Sequence, residues 1–101
     1  MADATGERRV ARIEAVLRAA LAPVHLAIKD ESHRHRGHAG AADGRGHFRV
    51  EIVSPGFRGQ SRLARHRQLY EALDAEMKSD IHALAIHAFT PEEWEARPPT
   101  E

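Results

Sequence analysis

Between positions 10 and 21 the apolar residues Val10, Ile13, Val16, Leu17, Ala20 and Leu21 recur at helical spacing, with Arg8, Arg9, Arg12, Glu14 and Arg18 between them. The pattern predicts an amphipathic helix over 8–21. It must end near Ala22, because Pro23 disfavours helical geometry in the residue before it. Val24, Leu26 and Ile28 then alternate with His25, Ala27 and Lys29, which predicts a half-buried first strand. Phe48, Val50 and Ile52 alternate with Arg49 and Glu51 in a second strand. Ser54-Pro55-Gly56 reads as a turn. Leu63, His66, Tyr70, Leu73 and Met77 predict the apolar face of one long helix over 62–78, with Ser61 as its N-cap and Ser79-Asp80 as its end. In a third strand His82, Leu84, Ile86 and Ala88 alternate with Ala83, Ala85, His87 and Phe89. Thr90-Pro91-Glu92-Glu93 opens a short helix. Thr90 caps it, Pro91 suits its first position and Glu93 completes a capping box, so that Trp94 folds back onto the body.

The order is helix, strand, strand, helix, strand. The first two strands make an antiparallel hairpin with a long tip over 30–46. The helical crossover makes the second and third strands parallel and right-handed. The expectation is an α+β fold with a three-stranded mixed sheet, order 1-2-3, and its helices on one face. At 101 residues the chain reads as one domain, 1–101, with an ordered core over 6–96 and tails at both ends. A chain of this size buries roughly two thirds of its unfolded surface, enough for one modest core.

Composition narrows the chemistry. There is no cysteine, which excludes disulfides, thiolate ligands and thiol catalysis from this chain and fits a reducing compartment. No apolar run approaches the roughly 20 residues that span a bilayer, and the first residues lack an apolar signal region. A cytoplasmic protein without membrane contact is expected. Fifteen basic side chains balance fifteen acidic ones, so net charge predicts no avid binding to nucleic acid.

Four of the eight histidines, His33, His35, His38 and His47, fall within fifteen residues of a loop made permissive by Gly37, Gly40, Gly44 and Gly46. Imidazole is neutral near pH 7 and ligates zinc, copper or iron. Solvated polar loop residues are the competing reading. His82 lies between Ile81 and Ala83 at a strand start, where its spacing suits a half-buried structural histidine as well as a ligand. His66, on the apolar face of the long helix, reads as structural. Gly56-Phe57-Arg58-Gly59 has the G-x-x-G form that clamps a nucleic-acid backbone in KH domains, and Arg58, Arg62, Arg65 and Arg67 add a local basic patch. The plain alternative is a strand-to-helix turn followed by a solvated helix start. No nucleophile–base–orienter set is visible, so the chain is not expected to be an enzyme.

Several short segments, taken together and in order, resemble the BolA family. They are Asp30-Glu31-Ser32-His33, Gly37-His38-Ala39-Gly40, His47-Phe48-Arg49-Val50, Phe57-x-Gly59-x-Ser61, Arg65-His66-Arg67 with Tyr70 and Leu73, Ile81-His82-Ala83-Leu84, and Thr90-Pro91-x-x-Trp94. They span most of the chain, from about Val10 to Trp94. The resemblance implies a fold similar to the class II KH domain. It implies a heterodimer with a monothiol glutaredoxin, sharing a 2Fe–2S cluster that the glutaredoxin and glutathione also ligate. It places the family's ligands at His38 in the loop and at His82, with His33 and His35 as rivals for the loop role and His47 a more distant one. Alone, the chain is expected to hold no cofactor tightly and to be a monomer or weak homodimer. The alternative implied by the same resemblance is a transcriptional regulator that binds DNA weakly through Gly56, Arg58, Gly59, Arg62, Arg65 and Arg67.

Overall fold

The computed structural model describes residues 4–32 and 46–98. The order is α1 (Ala4–Leu21), β1 (His25–Asp30), β2 (Gly46–Val53), a single 3-10 turn (Pro55–Phe57), α2 (Arg62–Ala72), α3 (Asp74–Ser79), β3 (Ile81–Phe89) and α4 (Pro91–Ala96). The sheet order is β1-β2-β3, with β1 antiparallel and β3 parallel to β2. The architecture is the expected α+β one.

Register explains which residues meet. Leu26 faces Ile52 and Ile28 faces Val50 across β1 and β2, while Phe48, Val50 and Ile52 face Leu84, Ile86 and Ala88 of β3. Because side chains alternate along a strand, these residues form one apolar face. Ile13 and Leu17 of α1 and Leu69 and Leu73 from the second helical segment close over it, and Phe57 from the 3-10 turn is fully buried with them. Ala22 takes a left-handed φ of 45° to end α1 ahead of Pro23. Ser54 ties this corner together, donating to the Leu21 carbonyl at 2.8 Å and accepting from Gly56 N. No helix among the described residues is long and apolar enough to cross a membrane.

Three details differ from the periodicity. The helix expected over 62–78 breaks at Leu73 into α2 and α3. Its core-facing row is Arg65, Leu69, Leu73 and Glu76, whereas Leu63 is 60% and Tyr70 41% exposed. Two apolar rows compete on this segment, and hydropathy alone scores Arg65 as an outward position. Buried partners reverse that assignment. Val24 lies outside β1 and is exposed. In β3 the expected row keeps Leu84, Ile86 and Ala88 and loses only its first member, His82. Gly46 pairs with Ile81 and His47 with Ala83, which leaves His82 as an extra residue in a bulge. Ile81 turns inward and is fully buried, and His82 turns out to solvent.

Candidate functional site

The bulge is the centre of the first candidate site. A bulge adds a residue to one strand and re-aims its side chain. Here it lifts His82 out of the apolar row and sets its ring beside that of His47, with centroids 5.2 Å apart and planes tilted by 48°. His47, the second residue of β2, is buried. Its backbone is held from both sides: His47 N donates to Ser32 Oγ at 3.1 Å, and its carbonyl accepts from Glu31 N at 2.8 Å. Gly46 N donates to the Asp80 carbonyl at 2.9 Å, tying the start of β2 to the start of β3. The Asp80 carboxylate is gripped by Arg9 at 3.3 Å and Arg12 at 3.8 Å. The frame around His82 is therefore built from α1, the foot of β2 and the α3–β3 junction.

The segment 33–45 leaves the sheet at Ser32 and returns at Gly46, immediately beside this frame. His33, His35 and His38 lie outside the described residues, so the expected loop ligand is located only by its anchoring points. Among the described residues, no three His, Cys, Asp or Glu side chains gather as a metal site. His82 and His47 together offer nitrogen donors only, and the chain has no cysteine to add sulfur. Imidazoles of this kind ligate zinc, copper or iron.

The second candidate lies at the other end of β3. Arg58 reaches Glu92 through two contacts, Nε to Oε1 at 3.0 Å and Nη2 to Oε2 at 2.6 Å. Arg65 forks Glu93 end-on, through Nη1 and Nη2, at 2.6 and 3.1 Å. It also donates to the carbonyls of Gln60 and Ala88, and lies over the Phe57 ring. The hydrogen bond from Arg65, supported by that from Thr90 N, holds the Glu93 carboxyl at a pKa of about 2. Hydrogen bonding to Arg58 lowers Glu92, and the same contact raises Arg58. Of the six residues expected to meet nucleic acid, Arg65 is buried structural framework and Arg58 is ion-paired. Arg62 and Arg67 are exposed on α2, Gly56 lies within the 3-10 turn, and Gly59 follows it with a positive φ of 77° that suits glycine. The sequence patterns missed the Arg65–Glu93 brace. Its signal was the capping box that places Glu93, read without asking what else that carboxylate holds.

His25 and Trp94 also belong to this end. Their rings stack at 4.7 Å, Phe89 packs on Trp94 at 5.4 Å, and His25 Nε2 lies 2.9 Å from Glu51 Oε1. Trp94 does fold back onto the body.

The BolA family model, described as BolA-like protein, matches residues 17–93. The chain belongs to the BolA family. The DNA-binding transcriptional regulator BolA of Escherichia coli (strain K12) is 48% identical over 84 residues, covering 83% of this chain and 77% of that relative. Among solved structures, the BolA domain of SufE1 from Arabidopsis thaliana superposes with a TM-score of 0.74 at 40% identity, covering 92% of this chain and 99% of that one. BolA1 protein from Mus musculus gives a TM-score of 0.74 at 42% identity over 99% of this chain and 76% of that one. The three-stranded BolA sheet thus carries both candidate sites, one at each end of β3.

Proposed function

We propose that this chain is a non-enzymatic BolA adaptor in iron–sulfur cluster handling, pairing with a monothiol glutaredoxin and offering His82 and a loop imidazole, His38 foremost, to a shared 2Fe–2S cluster. The observation that carries this is the bulge. A histidine with a structural role alone has no need of an extra residue that turns it out to solvent beside the base of a His-rich loop. A donor set of imidazoles without thiolates is half a coordination sphere, which fits a centre that a thiol-bearing partner completes. When bound, such a cluster supplies one-electron chemistry, at a potential that imidazole ligands raise relative to thiolates. The chain's own part is positional. The bulge in β3 fixes the direction of His82, the His47 ring flanks it, and Ser32 and Gly46 bracket the stretch of sequence that carries His33, His35 and His38.

The test is anaerobic co-purification with a monothiol glutaredoxin and glutathione, reading the visible spectrum. His82→Ala should abolish the His-type spectrum, because it removes the exposed imidazole of the pair and leaves only buried His47 at that position. His38→Ala should only weaken it, since His33 and His35 sit close by in the chain. A His82→Ala complex with the parent's spectrum sinks the assignment.

A second reading has its own support: the Escherichia coli relative is named a DNA-binding transcriptional regulator, and Arg62 and Arg67 stand exposed near the 56–59 turn. On this reading DNA binding is weak and steeply salt-dependent, because few arginines face outward and total charge cancels. Arg62→Ala/Arg67→Ala should reduce affinity for a duplex and flatten its salt dependence. Arg65 is left intact because its loss would damage the fold. Unchanged binding by that variant removes the patch from consideration.

A further inference from the structure

We propose that α4 is a carboxylate cover that sets the affinity of the 56–67 face for phosphate, with Glu92 and Glu93 occupying the arginines a phosphate would engage. The inference rests on the nucleic-acid reading and adds to it the residues that restrain binding. Both contacts are two-pronged, guanidinium fork on carboxylate, at 2.6 to 3.1 Å. Carboxylate and phosphate compete for this same fork, since both present paired oxygens to planar N–H donors. Two consecutive glutamates in one short helix thus meet one arginine within the G-x-x-G turn and one beyond it.

The cover is lightly attached. α4 has six residues, none of them buried, and its aromatic anchor is Trp94 against His25 and Phe89. Elements with few buried contacts open at low cost. What lies beneath is basic and already in place. A cleft of about 690 Å³ runs along the free edge of β3, where Arg62, Arg65, Arg97, His66 and His87 stand against Glu93. Arg65, which lines the cleft, is held by the Gln60 and Ala88 carbonyls in addition to Glu93. The Arg58–Glu92 pair is exposed on both sides, hence screened by salt and readily exchanged.

The experiment measures binding of a labelled DNA duplex to the full chain across a salt series. Glu92→Gln/Glu93→Gln is compared with Glu7→Gln/Glu71→Gln, which removes the same charge at two exposed positions outside α4. Glutamine at 93 can still close the capping box. The cover variant should bind roughly tenfold tighter, on the scale of one charge-assisted hydrogen bond. Its log–log salt slope should steepen by about 0.9 for each arginine released. Glu92→Gln alone, which alters only the exposed pair, should give about half of that steepening and guards against a folding defect at Arg65. Equal gains in the cover and control variants would mean bulk charge alone, and overturn the proposal. No gain in the cover variants while the parent binds also overturns it, leaving the nucleic-acid reading intact. No binding by parent or variants at low salt overturns both.

Discussion

Gly46 shows how narrow the tolerances are around His82. A Cβ built there would lie 2.7 and 2.8 Å from two ring carbons of Phe48 and 2.8 Å from Ser32 Oγ. Phe48 is itself core, so the ring cannot yield without disturbing Val50 and its neighbours. Gly46→Ala should therefore cost on the order of 1–3 kcal/mol, the usual range for overpacking a filled core. A urea midpoint indistinguishable from the parent's would show that Phe48 moves freely and that the frame is looser than its packing suggests. The sequence signalled Gly46 only as one of several loop glycines. Nothing in the alternation of β3 signals a bulge, because pairing register depends on residues thirty-five positions away, from Gly46 to Ile81. His82 was legible as a candidate through the Ile81-His82-Ala83-Leu84 resemblance, while its exposure was not. His33, His35 and His38 remain sequence-level candidates.

At the scale of elements, strong local signals carried over well. The Ser61 cap accepts from Ala64 N at 3.1 Å, and the Thr90–Glu93 capping box closes with both of its bonds. Caps and prolines act through near neighbours, so a single sequence reveals them. The buried face of α2 depended instead on a partner in α4, and hydropathy could not see that Arg65 would be neutralised and its donors satisfied. The same brace makes α4 sensitive to acid. Glu93 has its pKa lowered from 4.5 to about 2 by Arg65 and Thr90. A depressed carboxyl contributes stability above its unfolded value and loses it as pH falls towards the folded one. α4 docking should thus be constant from neutral pH down to about 4.5 and weaken between there and about 2. Trp94 is the chain's sole tryptophan, so its fluorescence reports on α4 directly. Glu93→Gln should remove most of that transition. A parent signal that is flat through this window would mean that Trp94 packing, rather than the ion pair, holds the helix down.

For the whole molecule, the decisive fact is that β3 separates the two candidate sites. His82 stands at its first turn of pairing and Ala88, capped by Arg65, near its end. β3 has nine residues. At roughly 3.3 Å per residue the six steps from His82 to Ala88 span on the order of 20 Å. That exceeds the Debye length of about 10 Å at 0.1 M salt, so charge changes at one end are screened from the other. Perturbations this far apart, with no shared side-chain partner, add within roughly 0.5 kcal/mol. His82→Ala should leave duplex affinity and its salt slope unaltered, and Arg62→Ala/Arg67→Ala should leave the spectrum of the glutaredoxin complex unaltered. Combining all three substitutions should reproduce both single effects without amplification. The rigid element linking the sites is a central parallel pairing buried on one face, which transmits no motion unless its register shifts. A coupling well above that additive limit, in either direction, would show that β3 has a second register available at its bulge. In that case the cluster end and the arginine end would be two readouts of one switch rather than two independent sites.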